Sequence, residues 1–300
     1  MATATQNGIF ISVVVPFRNA RRYIGQCVQS LLAQSYPADR YEIIMVDNNS
    51  TDGSAQTVAS SQRVKLLHEP RPGAYIARNR GIEHAKGEVI AFTDADCSAR
   101  GDWLTTIASK IRDTPALVLL GRVAFAKESF GLSTLAAYEA EKAAFVFSGN
   151  TSEIYYGCAG NMAMRRCLFA ELGPFTEARR GGDTTFIQDV IRRYTCGAVS
   201  YVPEMLVRHL EITSPLNWYR KLVHYGASHE KYRKLCDVRA LNTRERLEVF
   251  RAMVRKRGLG PFRATASLAY LGMGAISYGI GRRCHGLTGS DIAPCEVARE

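Results

Sequence analysis

Short apolar runs alternate with segments of helical periodicity, and this alternation constrains the fold more than any other feature of the chain. Residues 11–15 form an apolar run that Pro16 ends, which predicts a buried strand. In residues 21–33 the apolar positions recur at the spacing of an amphipathic helix. The pattern repeats, with strands predicted at residues 41–46, 64–67, 89–93 and 116–120 and helices at residues 73–85 and 103–111. It predicts an α/β fold with a mostly parallel central sheet flanked by helices.

Carboxylates follow two of the predicted strands. Asp47 comes directly after the second strand, and Asp94 and Asp96 follow the fourth. Ligands of open parallel sheets bind beyond the carboxyl ends of the strands. Two carboxylates two residues apart repel each other unless a cation joins them, and Mg²⁺ or Mn²⁺ takes carboxylate and phosphate oxygens. From the residues alone, the pair is equally typical of a solvated acidic turn, and Asp47 of a turn-forming residue.

Four segments together resemble the family 2 glycosyltransferases, which have the GT-A fold. They are residues 13–19 (VVVPFRN), 46–53 (VDNNSTDG), 77–82 (ARNRGI) and 92–96 (FTDAD). Their order and spacing match the family over roughly the first hundred residues. The resemblance implies a GT-A fold and the transfer of a sugar from a nucleotide-diphosphate donor.

The resemblance also implies where the donor binds. Around the nucleotide base and ribose it places Pro16, Phe17, Arg18, Asn19 and Asp47. It places Arg78 near the donor, and Asp94, Ala95 and Asp96 at the diphosphate. The metal, Mn²⁺ or Mg²⁺, is expected on Asp96, Asp94 and His209, because related enzymes often complete this site with a histidine after a short strand. From the residues alone, His209 is equally typical of a hydrogen-bonded histidine at a strand end.

Two glycine-rich segments of the second half resemble the acceptor side of the family. Residues 181–186 (GGDTTF) resemble the segment that carries the catalytic base, which implies Asp183 as the base, with Gly182 in the place of a second acidic residue. Residues 157–162 (GCAGNM) resemble the lining of the acceptor pocket, and Gly160, Asn161 and Gly182 are expected there. From the residues alone, Asp183 is equally typical of a helix cap and the glycines of a tight strand entry.

The second half also predicts the domain organisation. Residues 1–212 are expected to form the catalytic domain, with a nucleotide-binding half at about 9–125 and an acceptor half at about 126–212. Short strands are predicted at residues 198–202 and 205–210. Residues 213–300 are predicted to be a helical, basic extension. Residues 264–281 are apolar but too weakly hydrophobic for a spanning helix, so they predict either a helix lying on anionic lipid or a packed helix with a solvated basic flank.

Charge and cysteine usage bound the partners and the compartment. The 300 residues carry 39 Lys and Arg against 28 Asp and Glu, a net charge of +11, which favours anionic partners. The 8 cysteines form no CxxC pair and the start of the chain has no secretory pattern. Reduced thiols and a cytoplasmic protein, peripheral on the cytoplasmic face of the membrane, are therefore expected.

The expected reaction is inverting transfer from a nucleotide-diphosphate sugar, with UDP as the expected nucleotide, to a hydroxyl of a carbohydrate or lipid-linked acceptor. The alternatives are a sugar nucleotidyltransferase and a non-catalytic adaptor that binds nucleotide sugars at a membrane. The former generally needs a glycine-rich loop after the first strand, where this chain has residues 16–19 (PFRN). A dinucleotide-binding oxidoreductase is not expected, because no GxGxxG motif follows a predicted strand. Nucleic acid is not expected as a partner, because neither an aromatic-basic platform nor a helix-turn-helix pattern is present.

Overall fold

A computed structural model describes residues 8–177, 180–232 and 238–284. Its centre is an eight-stranded sheet with the strand order β3-β2-β1-β4-β7-β6-β8-β5. The strands are β1 (Ile11–Phe17), β2 (Tyr41–Asp47), β3 (Val64–His68), β4 (Val89–Thr93), β5 (Cys97–Ala99), β6 (Val118–Phe125), β7 (Asn161–Arg165) and β8 (Val199–His209). The described helices are α1 (Arg21–Leu32), α2 (Ser54–Ala59), α3 (Ala74–Glu83), α4 (Trp103–Asp113), α5 (Phe130–Ser148), α6 (Cys167–Leu172), α7 (Gly182–Tyr194), α8 (Pro215–Tyr232), α9 (Thr243–Lys256) and α10 (Pro261–Cys284).

The four strands β3, β2, β1 and β4 are mutually parallel, so their carboxyl ends share one edge of the sheet. Phe17 pairs with Asp47, and Asp47 pairs in turn with His68. β7 is antiparallel to both β4 and β6, and β5 is antiparallel to β8. The predicted α/β class with a mostly parallel sheet is confirmed.

Both faces of the sheet are covered, which explains why the first strand is apolar at nearly every position. Val13 and Val15 pack into the cluster that α1 and α4 cover, whereas Val14 packs into the opposite cluster with residues of α3, α5 and α7. Successive side chains of a strand point to opposite faces. A strand between two helical layers therefore buries consecutive apolar residues, and this produces the continuous run seen in the sequence.

The structure corrects the prediction of two short strands at residues 198–202 and 205–210. They form one strand, β8, which runs parallel to β6. The register shifts once, because Gly121 pairs with Val202 and Arg122 pairs with Leu206. The intervening segment, which contains Pro203, bulges out of the ladder without ending the strand.

The C-terminal helices pack on the sheet domain. Phe125 of β6 and Trp218 of α8 have ring centroids 5.2 Å apart, and both belong to a small cluster that also contains Tyr270 of α10. α8 and α10 approach each other at glycines, since a Cβ on Gly226 would lie 2.1 Å from the carbonyl oxygen of Tyr278. The boundary predicted at residue 212 stays a prediction, but side chains on either side of it share this cluster. Residues 285–300 of the predicted extension lie outside the described residues.

Candidate active site

The loops after β1 and β2 form one rigid unit. Asn19 accepts a hydrogen bond from the Thr51 amide at 2.8 Å, and its own amide donates to Ser50 Oγ at 3.0 Å. Asn19 adopts a positive φ of 50°, which asparagine tolerates better than most residues. Arg18 is exposed beside it. Pro16, Phe17, Arg18 and Asn19 thus lie at the sheet edge next to the β2–α2 loop.

Asp47 lies at the same edge and is nearly buried. Its Oδ1 accepts a hydrogen bond from the Ser50 amide at 3.0 Å, and its Oδ2 lies 3.4 Å from His68 Nδ1. Its neighbour Asn48 ties the loop to the start of α3, because it donates to the carbonyl of Glu69 at 2.8 Å and accepts from the amide of Gly73 at 2.8 Å. The sequence did not single out Asn48, although asparagine in a loop is a common bridging residue.

Asp94 is paired with a buried arginine. Arg78 Nη2 lies 2.5 Å from Asp94 Oδ1, and the arginine side chain is only 6% exposed. The guanidinium carbon also lies 5.1 Å from the ring centroid of Tyr75. Burial lowers the pKa of Arg78, but Asp94, Tyr75 and Asp183 more than offset this, so the pKa is raised. Arg78 is therefore a fixed positive charge within electrostatic reach of both Asp94 and Asp183.

Asp96 lies in a second group, with His209 and Glu211. Asp96 Oδ2 is 3.3 Å from His209 Nε2, and one ligand atom from each of the three residues lies within 4.8 Å of the others. β5 brings them together, since Cys97 pairs with His209 directly after Asp96. Among the described residues this group does not include Asp94, which forms an ion pair with Arg78 instead. Two carboxylates and an imidazole are ligands that suit Mn²⁺ or Mg²⁺.

The sequence missed Glu211, although it lies two residues after His209. It lies in the bend directly after β8, whose last residue is His209. The H-x-E spacing, in which one candidate metal ligand follows another after two residues, is the signal that could have found it.

Lys221 was also missed, and it lies against the same group. Its ammonium is hydrogen-bonded to His209 Nε2 and lies 3.9 Å from Glu211 Oε2. It reaches the group from α8, twelve residues along the chain from His209. Nothing in the local sequence indicates this contact.

The electrostatics keep His209 neutral. Burial and then the Lys221 cation lower the pKa of His209 to about 4. Burial also raises the pKa of Asp96, and Asp94 adds to this effect while Lys221 opposes it. His209 Nδ1 is buried and finds no hydrogen-bond partner among the residues that the structure describes. Because the Lys221 ammonium can only donate, Nε2 accepts from it and the neutral ring carries its proton on Nδ1, which is the tautomer in which Nε2 could also bind a metal.

Asp183 lies in the first turn of α7, across a glycine-rich loop from Asp94. Its Oδ2 accepts a hydrogen bond from the Ala159 amide at 2.9 Å. The loop runs close to both acids, because a Cβ on Gly157 would lie 2.4 Å from the Asp183 carbonyl carbon and one on Gly160 would lie 2.9 Å from Asp94 Oδ2. The N-cap of α7 is Gly181, so helix capping does not account for a carboxylate at position 183. Gly182 is buried against Tyr75.

Three predicted residues do not reach the cleft through their side chains. Phe17 and Ala95 are buried in the same core cluster of the sheet. Asn161 is fully buried, and its amide is used by Trp103 Nε1 at 2.9 Å and by the carbonyls of Arg122 and Met205 at 2.8 Å. These hydrogen bonds hold the Asn161 side chain inside the sheet, so only its backbone could line the acceptor pocket, and its predicted place there stays a prediction.

Comparison with known proteins gives the family context. The family model described as glycosyl transferase family 2 matches residues 12–173. The chain is similar to the glycosyltransferase AglE of Haloferax volcanii, with 31% identity over 180 residues that cover 58% of this chain and 59% of that protein. It is 37% identical over 126 residues to the glycosyltransferase GlyG of Streptococcus pneumoniae, covering 40% of this chain and 41% of that protein. The matched part is thus less than two thirds of either relative.

Solved structures share the fold over most of the chain. The mannosyltransferase PcManGT from Pyrobaculum calidifontis, in complex with GDP-Man and Mn²⁺, has a TM-score of 0.61 at 19% identity and covers 95% of this chain and 89% of its own. Residues 1–349 of S. aureus TarS, in complex with UDP-GlcNAc, have a TM-score of 0.51 at 17% identity, with 93% and 92% covered. At these identities the likeness shows the fold alone.

Proposed function

Because the chain belongs to glycosyl transferase family 2 and has the GT-A fold, we propose that it transfers a sugar from a nucleotide-diphosphate donor to an acceptor hydroxyl. One observation carries the proposal. Asp47 ends β2 and Asp94 and Asp96 follow β4, so these three acids lie at the shared carboxyl edge of the parallel strands, and Arg78 lies within electrostatic reach of both Asp94 and Asp183. Ligands of such sheets bind at this edge.

We propose that the nucleotide lies against the loops after β1 and β2. Pro16, Phe17, Arg18 and Asn19 would contact the base and ribose, and Asp47 would accept hydrogen bonds from them. These loops are tied together before a ligand arrives, which lowers the cost of ordering on binding. UDP is the proposed nucleotide. PcManGT binds GDP-Man and TarS binds UDP-GlcNAc, so GDP is the competitor to test.

We propose that Mn²⁺ or Mg²⁺ is held by Asp96, His209 and Glu211, with Asp94 beside it on Arg78. The donor set and the neutral imidazole fit such an ion. When bound, the ion supplies positive charge that stabilises the diphosphate leaving group. The PcManGT complex contains Mn²⁺, which supports a divalent ion in this protein but does not identify its ligands.

We propose Asp183 as the catalytic base of an inverting transfer. Its carboxylate would take the proton of the acceptor hydroxyl as the hydroxyl oxygen attacks the anomeric carbon, and the nucleoside diphosphate would leave from the opposite face. Asp183 already accepts hydrogen bonds from the amides of Ala159 and Thr184, at 2.9 Å each, and from the Tyr75 side chain, which orient the carboxylate. A carboxylate offers about four lone-pair sites, so one remains for this proton.

The acceptor is proposed to bind beside Gly160, where the absence of a side chain lets the loop pass close to Asp94. Gly182 would shape this side only indirectly, because its missing side chain lets α7 pack against Tyr75.

The test combines donor binding with turnover. A thermal-shift screen of UDP-, GDP- and dTDP-sugars, with and without Mn²⁺, identifies the donor, since a ligand that binds only the folded state raises its melting temperature. Asp183→Asn should keep the donor-induced shift and lose transfer. Asp96→Ala should lose the Mn²⁺-dependent part of the shift and transfer. The matched control is Asp189→Asn, on the same helix and in a surface ion pair with Arg192. Normal turnover by Asp183→Asn would remove Asp183 as the base.

We also propose that the protein binds the cytoplasmic face of an anionic membrane through α10 and acts on a lipid-linked or carbohydrate acceptor. Four apolar side chains on its outer face, Leu268, Met273, Ile276 and Ile280, are between 49% and 57% exposed. Exposed Arg263 and Arg283 flank this face at its two ends. An apolar stripe with basic ends suits the interface of anionic lipid. Within the described residues, no helix is long and apolar enough to cross a bilayer.

Co-sedimentation with vesicles tests this surface. The wild-type protein should sediment with vesicles that contain phosphatidylglycerol and much less with pure phosphatidylcholine vesicles. Ile276→Glu combined with Met273→Glu should abolish sedimentation. Leu247→Glu, at an exposed apolar residue on α9, is the control and should sediment like the wild type. Unchanged sedimentation of the double variant would exclude this face as the membrane contact.

A further inference from the structure

Lys221 gives the candidate metal centre a positive charge from the protein itself. Its ammonium is hydrogen-bonded to His209 Nε2 and lies 3.9 Å from Glu211 Oε2. Its side chain is 24% exposed, so it reaches into the cleft from α8 without being sealed in the core. The residue lies outside the segment that the family model matches, residues 12–173.

The contact with His209 uses the atom that a metal would need. A neutral imidazole has one ring nitrogen with a free lone pair and one that carries a proton. Because Nε2 accepts from the ammonium, its lone pair is already engaged. The same lone pair cannot serve a divalent ion at the same time, and two cations beside the same carboxylates repel each other.

Each of the two carboxylates of residues 94–96 has a basic residue near it: Arg78 forms an ion pair with Asp94, and Lys221 lies within electrostatic reach of Asp96. Arg78 is 6% exposed and holds Asp94 with a planar guanidinium that burial and Tyr75 fix in place. Lys221 is a compact charge on a flexible four-carbon chain, and it is four times as exposed, at 24%. Lys221 is the one of these two cations that can leave without breaking the core.

We propose that Lys221 occupies the candidate metal centre in the donor-free protein, and that a divalent ion must displace its ammonium from His209 in order to bind. The inference rests on the proposed metal centre of Asp96, His209 and Glu211. The displaced ammonium needs another anion nearby, and the diphosphate of the donor supplies one. Donor and metal therefore bind cooperatively, since the donor accepts the charge that the metal expels.

Titration of the donor-free, full-length protein with Mn²⁺, followed by electron paramagnetic resonance of the free ion, tests the proposal. Lys221→Met should bind Mn²⁺ at least tenfold more tightly than the wild type. The control is Arg220→Met, which removes the same charge from the neighbouring exposed position of α8 and should stay within twofold of the wild type. Lys221→Gln gives a second route if the methionine variant does not melt cooperatively, and the same gain is expected.

A Lys221→Met or Lys221→Gln variant that binds Mn²⁺ no more tightly than the wild type would overturn the proposal, because Lys221 would then stabilise the centre or be irrelevant to it. Absence of Mn²⁺ binding by both wild type and variant would overturn it as well. Neither outcome decides the proposed transfer, which is read separately from the donor-induced thermal shift and from release of the nucleoside diphosphate. If the wild-type protein shows neither of those two signals, while Lys221→Met still binds Mn²⁺ more tightly than the wild type, the proposed transferase activity is refuted and the competition between Lys221 and the metal is supported.

Discussion

Asn161 allows a direct test of whether a predicted acceptor residue instead stabilises the fold. Its side chain is 0% exposed, and Asn161→Ala removes three hydrogen bonds, one from Trp103 and two to the carbonyls of Arg122 and Met205. The Trp103 indole would be left as a buried donor without this partner. The carbonyls of Arg122 and Met205 each have a second lone pair, so losing the Asn161 hydrogen bond destabilises the protein less at each carbonyl than at the indole.

The magnitude follows from these three bonds. A buried polar group left without its partner costs about 1–3 kcal/mol, so the three losses sum to about 4 kcal/mol when the carbonyls are taken at the lower end. This is a large part of the roughly 5–15 kcal/mol that stabilises a typical domain. With a denaturant dependence of about 5 kcal/mol/M, the guanidinium chloride midpoint should fall by about 0.8 M.

The assay is guanidinium chloride unfolding followed by far-UV circular dichroism, together with the KM for the acceptor once it is known. The control is Asn150→Ala, at an exposed asparagine, which should unfold at the wild-type midpoint. An Asn161→Ala variant that unfolds like the wild type but shows a raised acceptor KM would refute the argument. It would place the amide in the acceptor pocket.

Three further predictions concern the site and one helix. The pKa of His209, lowered to about 4 by burial and Lys221, lies below its value in the unfolded chain, so the neutral histidine contributes its full stabilisation above about pH 6.5 and loses it as the pH falls towards 4. The free energy of unfolding, measured in EDTA, should therefore fall by about 2 kcal/mol between pH 7 and pH 5 in the wild type but not in His209→Gln. Gly157→Ala should lower kcat at least tenfold by pushing Asp183 away, because its Cβ would lie 2.4 Å from the Asp183 backbone, while Gly149→Ala should leave kcat unchanged. Asn242→Ala removes the capping box that Asn242 forms with Glu245 and should lower the free energy of unfolding by about 1 kcal/mol, measured as a lower thermal midpoint. An unchanged midpoint would show that this end of α9 does not limit stability.

The sheet domain could be predicted from the sequence because the patterns that indicate its strands lie within short stretches of neighbouring residues. The runs at β1, β2 and β4 are apolar on both faces, which only strands between two helical layers require. The carboxylates Asp47, Asp94 and Asp96 follow strand ends directly, so knowledge of the strands is enough to place them at one edge. The GT-A fold was implied by the resemblance of residues 13–19, 46–53, 77–82 and 92–96 to family 2 glycosyltransferases, and it is confirmed, while the roles of the individual site residues stay predictions.

Errors and omissions fall where the outcome depends on distant contacts. Residues 198–202 and 205–210 were predicted as two strands, but pairing with β6 carries β8 through a bulge between them. Asn161 follows a glycine-rich segment that resembles a pocket lining, and only the positions of Trp103, Arg122 and Met205 reveal that its amide is held inside the sheet. Local sequence cannot distinguish a polar residue that faces a cleft from one whose side chain is buried and hydrogen-bonded inside the core.

The order of apolar runs and strand-end acids determined by itself that this chain builds a parallel sheet with a polar edge. The tertiary structure alone decided which charges meet there: Arg78 with Asp94, and Lys221 with His209 and Glu211. Strand periodicity is a property of neighbouring residues, whereas an ion pair depends on how α3 and α8 pack against the sheet. Only that packing brings their side chains to the acids.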